Sequence, residues 1–246
     1  MVTSGRAPSY DEMLRPRPPR DREDSHCSLE AIMLRSVKVP EGFEGPFARA
    51  EHYVESLFAS LSRSPEQGAL RIGGQRYVLV RCESLYLSWF EAMAETFGAE
   101  TAREFIYNTA REIGRADAKD FCGRLGVTEG IERLSAGPVH FAHCGWALVE
   151  ILADSRPAMD ETYYLHYYHP NTFEAEALKA RGKVVEDTAC LFSAGYSAGW
   201  CSEAFNVEVH AREIQCTARG NARCEFIMAP SARLDALELG LLRRRG

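Results

Sequence analysis

No stretch of this 246-residue chain approaches the roughly 18–20 consecutive apolar residues that a membrane-spanning helix needs. Its amino-terminal segment, MVTSGRAPSYDEMLRPRPPRDREDSH, lacks the apolar core of a secretory signal. Positive charge is not in excess. The 29 Lys and Arg face 35 Asp and Glu, a formal net charge of -6, which argues against direct nucleic-acid binding. There is no Gly-x-Gly-x-x-Gly fingerprint for a dinucleotide and no obvious acid/base pair. What remains is an ordinary globular composition, 46% hydrophobic and 26% charged, in a chain long enough for a proper core. The expected compartment is the cytoplasm, where thiols stay reduced. Eight cysteines in that setting point to buried free thiols or metal ligation rather than disulfides.

Residues 1–45, Pro- and Arg-rich at first with almost no apolar periodicity, read as an arm, partly disordered or packed against a partner subunit. PFARAEHYVESLFASL, from Pro46, has apolar residues at helical spacing. ALRIGGQRYVLVRC alternates about Gly73-Gly74 and predicts a hairpin. Two helices follow, ESLYLSWFEAMAETFG and AETAREFIYNTAREIGRADAKDFCGRLG. The second carries Ala102, Phe105, Ile106, Ala110, Ile113 and Phe121 on one stripe. Residues 138–153 and 160–168 favour strands through their aromatic and β-branched content. A helix over 171–181 has Asn171 or Thr172 to cap it, and another spans about 187–205. NVEVHAREIQC and ARCEFIMA predict a last hairpin, and residues 231–246 an amphipathic helix or the start of a linker. The fold class is α+β, helices packed on an antiparallel sheet, with one domain over 46–230.

CTARGNARCEF places Cys216 and Cys224 on either side of a Gly-centred turn. Opposed across two strands, their β-carbons would lie roughly 4.5–5.5 Å apart, suited to sharing one ion. Glu213 is an odd number of residues from Cys216, so both can ligate only if a bulge or strand end intervenes. Cys190, Cys201 and His210 compete for the fourth position. Cys190 and Cys201, eleven residues apart on one helix, would sit roughly 16 Å apart along its axis and cannot both serve. Spacing alone does not choose between them, and two unrelated core thiols are the plainer alternative for the pair.

The run CLFSAGYSAGWCSEAFNVEVHAREIQCTARGNARCEFIMAP resembles the closing segment of the 4-vinyl-reductase domain family. It looks most like the branch that forms the N-terminal sensor of XylR-type aromatic-responsive activators. The shared pattern is Cys190 opening a helix, Gly195-Tyr196 with Gly199-Trp200, Glu213 three residues before Cys216, Gly220 in the turn, and Cys224 with Phe226 before Pro230. Upstream, NTFEAEALK and LRIGGQRYVLVRCESL are similar to the family's helix start and early hairpin. The resemblance implies a trafficking-complex-like fold and a structural Zn2+ held by Cys190, Glu213, Cys216 and Cys224, with the zinc-binding part over 187–230. Three thiolates and a carboxylate would close the ion's coordination and leave no position for a reacting water.

The resemblance also implies a pocket for a small aromatic effector between helices and sheet. Candidate lining residues are Phe141, Trp146, Tyr164, Tyr168, His169 and Phe173, each of which could equally be core. His169 falls where phenol-type sensors carry a Trp that anchors the effector hydroxyl, and Pro138 where they carry an anchoring His. Both departures count against a simple phenol. The cluster His140, His143, His166 and His169 could hold another polar effector or a tetrapyrrole. XylR-type activators continue into an ATPase, whereas no Gly-x4-Gly-Lys-Ser/Thr loop occurs here. The chain is therefore expected to be the sensor portion of a longer protein or a module acting through an output partner, as a homodimer. A vinyl-reductase-like enzyme and a non-sensing scaffold are the alternative readings.

Overall fold

The computed structural model describes residues 34–128 and 130–245. Most of the expected arm, residues 1–33, lies outside the described residues. The part of it that is described is built into the body: strand β1, Val37–Lys38, pairs parallel with β5, Val149–Ile151. The buried Glu51 carboxylate fixes that entry, accepting from Arg35 N at 2.9 Å, Ser36 N at 2.7 Å and Ser36 Oγ at 2.5 Å. Glu51 belongs to helix α1, Glu44–Ala59, which buries Phe47, Ala50 and Val54.

A small sheet follows: β2 (Ser62–Ser64), β3 (Ala69–Ile72) and β4 (Gln75–Tyr77), in the order β2-β3-β4. Gly73 and Gly74, with φ of +55° and +78°, form the two-residue β3–β4 turn; both central residues of such a turn need the left-handed region. A π turn, Glu83–Leu87, leads into α2, Ser88–Phe97, and then α3, Ala99–Leu125. The buried stripe of α3 is Ala102, Ile106, Ala110, Gly114, Ala118 and Phe121, whereas Phe105 and Ile113 are 47% and 37% exposed. Sequence spacing put those two on the stripe. Small residues displace them because α3 lies against another helix too closely for larger side chains.

That neighbour is α6, Leu191–Phe205. A Cβ on Gly195 would overlap Tyr107 O, one on Gly199 would overlap Arg111 O, and one on Gly114 would overlap Tyr196 O. The backbones therefore touch. Helix α6 is buried on nearly every side, as its uniformly apolar and small sequence requires.

The expectation of strands over 138–153 is corrected in its first part. Residues Gly130–His143 form helix α4, with Pro138 inside it, and the strand begins only at Val149. Leu134, Pro138 and Phe141, spaced three to four apart, are buried, and this helical period outweighed the local β preference of Val139 and Phe141. Strand β6, Leu165–His169, then helix α5, Phe173–Ala180, complete the middle of the chain. Thr172 caps α5, its hydroxyl accepting from Ala175 N at 3.2 Å.

Strands β7 (His210–Gln215) and β8 (Cys224–Ala229) form the last hairpin, and helix α7, Ser231–Arg245, closes the chain. The main sheet has the order β1-β5-β6-β8-β7, antiparallel except for the β1–β5 pair. Its inner face receives α4 and α6. Its outer face carries a smaller cluster with α7, in which Tyr164, Ile227, Ala229, Leu234 and Leu241 are buried together.

Candidate functional site

The β7–β8 register supplies the irregularity that Glu213 and Cys216 require. Glu213 pairs with Phe226 but Gln215 pairs with Glu225, so Ile214 is an extra residue. With that bulge, side chains three residues apart turn to the same face. Cys216 leaves the strand into a short turn, Thr217–Arg219, closed by Gly220 at φ +90°. Asn221 holds the turn: its Oδ1 accepts from Cys216 N at 3.0 Å and its N–H donates to Cys216 O at 3.2 Å. Cys224 opens β8, and Cys190 stands at the N-cap of α6.

One ligand atom from each of Cys190, Glu213, Cys216 and Cys224 lies within 4.8 Å of the others, and all four residues are buried. The Sγ of Cys190 is 4.0 Å from that of Cys216 and 3.6 Å from that of Cys224. Thiolates placed tetrahedrally about an ion at Zn–S of about 2.3 Å would be separated by about 3.8 Å. The carboxylate fits as well. Glu213 Oε2 accepts from Ala189 N at 3.0 Å and Cys190 N at 2.9 Å, while the buried Oε1 has no hydrogen-bond partner. A buried oxygen with nothing to bind is costly unless a cation or another donor completes it.

Electrostatics point the same way. Burial, then the charge on Cys224, pushes Glu213 up to about 8. The thiols of Cys190 and Cys216 hold the Cys224 thiol far below its usual range, and Thr217 N donates to its sulfur at 3.4 Å. The four groups cannot all be anionic together without a cation among them. The cluster could therefore hold a metal ion. Cys201, its sequence-level rival, lies elsewhere on α6, and His210 is outside the cluster.

The six candidate pocket residues do not converge. Phe141, Trp146 and Phe173 belong to one aromatic cluster with Phe192 and Tyr196: Trp146 is 5.1 Å from Phe141, 5.0 Å from Phe192 and 4.7 Å from Tyr196, ring to ring. Tyr164 and Tyr168 lie on the outer face of the sheet, Tyr164 in the cluster under α7 and Tyr168 beneath the Arg223 guanidinium at 3.9 Å. His169 faces inward, 4.6 Å from Phe226 and 5.5 Å from Phe141. It is fully buried with both ring nitrogens unpartnered, and burial lowers it to about 3.

The four histidines are likewise dispersed. His140 and His143 sit on α4, His166 on the outer face and His169 on the inner, which removes the basis for a shared tetrapyrrole site. His166 bridges two carboxylates, Nδ1 to Asp154 at 3.0 Å and Nε2 to Glu225 at 2.7 Å. Burial opposes its charge, yet these two partners raise its pKa.

An enclosed apolar cavity of about 30 Å³ lies between α4, α6 and the inner face of the main sheet. Phe141 is the one candidate that lines it; Pro138, Tyr167, Tyr196, Trp200 and Met228 also face it. Most of its polar edges are engaged elsewhere. Trp200 Nε1 donates to Arg133 O at 3.0 Å, and Tyr196 OH donates to Asp117 Oδ2 at 2.9 Å beside His140 Nδ1 at 3.2 Å. The Tyr167 hydroxyl is buried without a well-formed hydrogen bond. Tyr164 and Tyr168, expected from sequence to line a pocket, lie on the face of the main sheet away from this cavity. The alternation of β8, where Phe226 and Met228 face inward against Tyr167 and Leu165, is the signal that would have found Tyr167. A wider groove of about 710 Å³ opens beside it, lined by Trp146 and Phe173 with Glu51, Glu55, Glu83 and Glu176.

Residues 56–154 match the family described as activator of aromatic catabolism, and residues 171–230 match the 4-vinyl-reductase domain. The cavity lies where the two matched regions meet: α4 and β5 belong to residues 56–154, and α6 and β8 to residues 171–230. The four-residue cluster falls wholly within the latter. The crystal structure of the phenol-responsive sensory domain of the transcription activator PoxR with phenol has the same fold. It superposes with a TM-score of 0.64 at 20% identity, covering 78% of this chain and 92% of that one. No curated protein matches this chain by sequence. Among the described residues no helix is long and apolar enough to cross a membrane.

Proposed function

We propose that this chain is a zinc-stabilised sensor domain that takes up a small aromatic or other hydrophobic effector between α4, α6 and the main sheet. The observation that carries this reading is the enclosed apolar cavity at the junction of the two matched domains, in a fold shared with a phenol-responsive sensory domain. Small-molecule sites are concave and mostly apolar, with few polar groups to orient the ligand. Here the Tyr167 hydroxyl is the group available to meet a polar edge of the effector. At about 30 Å³ the cavity has room for only a water or two, so binding requires the surrounding side chains to move apart. Occupancy and conformation are thereby coupled, as a sensor needs.

The ion would be held by Cys190, Glu213, Cys216 and Cys224. It would supply cross-linking charge and no open coordination position, so its role is to hold the trafficking-complex-like 4-vinyl-reductase part of the fold together. The sensing body spans residues 46–230 together with β1, and residues 231–246 lead toward an output partner or domain. The protein works in the cytoplasm as a homodimer.

Thermal melting against a panel of alkylbenzenes, phenols, fatty acids and tetrapyrroles tests the effector class. A ligand at about 100 times its Kd should add about 2.7 kcal/mol of stability, and Ile151→Trp, which fills the cavity, should remove that shift while the variant stays folded. A shift that survives in Ile151→Trp, or none across the panel, refutes the cavity as the effector site.

A further inference from the structure

The small sheet has an unshielded edge. β4 pairs with β3 on one side and with no strand on the other among the described residues. The chain leaves it through Val78, Leu79 and Val80, which are 75%, 78% and 51% exposed and take part in no backbone hydrogen bond among the described residues. Natural edges are usually blunted by charge, proline or a bulge. This one presents three consecutive apolar side chains beside open N–H and C=O groups.

The adjoining helices add to it. Helix α2 packs Trp89 and Phe90 against the core, yet none of its residues is fully buried. Leu85 before it and Phe97 at its end are 40% and 58% exposed, and Phe105 of α3, edge-on to Trp89 at 6.3 Å, is 47% exposed. Single exposed apolar residues are ordinary, but a concentration of them marks an interaction surface.

The order of residues in the edge selects its partner. Laid antiparallel on itself with Leu79 at the centre, the segment sets Val78 against Val80 and Tyr77 against Arg81, and the chain turns helical from Cys82. Apolar meets apolar, and no like charges face each other. Centring on Val78 instead would put Arg76 against Val80, and centring on Val80 would put Arg81 against Leu79. We propose that this edge is where two copies of the chain meet, the segment from Tyr77 through Arg81 pairing with itself about a two-fold axis at Leu79. Two short strands bury much less than the roughly 800 Å² per partner of a stable interface, so the exposed side chains of Leu85, Phe97 and Phe105 contribute to the remainder. The inference names the surface of the homodimer proposed above and rests on that reading.

Leu79→Cys in the full chain is the direct test. Residues opposed in an antiparallel pair have Cα atoms about 4.5–5.5 Å apart, within disulfide reach. Mild oxidation should give a covalent dimer on a non-reducing gel. Val184→Cys, at a site 81% exposed elsewhere, should stay at monomer mass, as should the parent, whose Cys82 lies in the helical turn beyond the paired segment. Leu79→Lys should halve the mass by light scattering with unchanged circular dichroism. Equal cross-linking of the two cysteine variants, or a Leu79→Lys protein that stays dimeric, overturns this surface while leaving the dimer standing. A parent that is monomeric by light scattering overturns both.

Discussion

Glu213 gives one oxygen to two backbone donors at the start of α6 and leaves the other, buried, facing three sulfurs. The carboxylate closes the helix N-terminus and, in the proposed zinc site, would also complete the ligand set. Cys216→Ser should lower the bound metal to near zero and cost at least about 3 kcal/mol, a fall in Tm of roughly 6–12 °C for a domain of this size. Cys201→Ser, equally buried on the same helix, should keep the metal and melt within a few degrees of the parent. Elemental analysis alongside calorimetry separates the two. The sequence could narrow the thiols to a turn-flanking pair, but distance along the chain could not choose Cys190 over Cys201. What decides it is where the first turn of α6 meets the hairpin, a tertiary fact with no local signal. The pocket residues show the converse: Tyr164 and Tyr168 were plausible by type, and the pleat of β6 turned them outward.

Among the elements, the β7–β8 hairpin carries one additional residue, Ile214. Deleting Ile214 would restore regular pairing and leave Glu213 two residues from Cys216, still on the same face. The expected result is a folded hairpin that still binds metal, whereas Glu213→Gln should reduce metal affinity at least tenfold, measured by competition with a chelator; unchanged affinity in Glu213→Gln would show that Glu213 is not a ligand. That a bulge was needed was legible from the odd spacing of Glu213 and Cys216. Helix α4 was not legible, because aromatic and β-branched residues near Phe141 mimic a strand when the partner surface is unknown. Helix α3 was readable as a helix, but not the fate of Phe105 and Ile113. Their exclusion from the interior follows from the glycines of α6, some ninety residues away in sequence.

For the whole molecule, the interior histidines set the response to acid. Burial lowers His140 to about 4, so the unfolded chain takes up this proton near the ordinary 6.5 and the folded protein does not. Its contribution is complete above about pH 6.5 and is lost as pH falls toward 4, at up to about 1.4 kcal/mol per pH unit. His166, raised by Glu225 and Asp154 against its burial, acts in the opposite sense: it favours the fold while charged and stops doing so as pH rises through its raised value. Urea denaturation at several pH values should show stability falling between pH 6.5 and 4.5, with a shallower fall in His140→Gln. An equal slope in that variant would remove His140 as the cause.

The glycine seam between α3 and α6 has a mechanical consequence. Where two helices meet through long side chains, rotamers can absorb a small displacement, and the motion dies within a shell of residues. At Gly114, Gly195 and Gly199 there is no such padding, and peptide rests on peptide. Helix α6 lines the cavity through Tyr196 and Trp200 and is moored to the last hairpin at its first turn. A push from inside the cavity therefore passes to α3 without backlash, and the 27-residue α3 carries it as a rigid rod toward α2 and the exposed edge beyond.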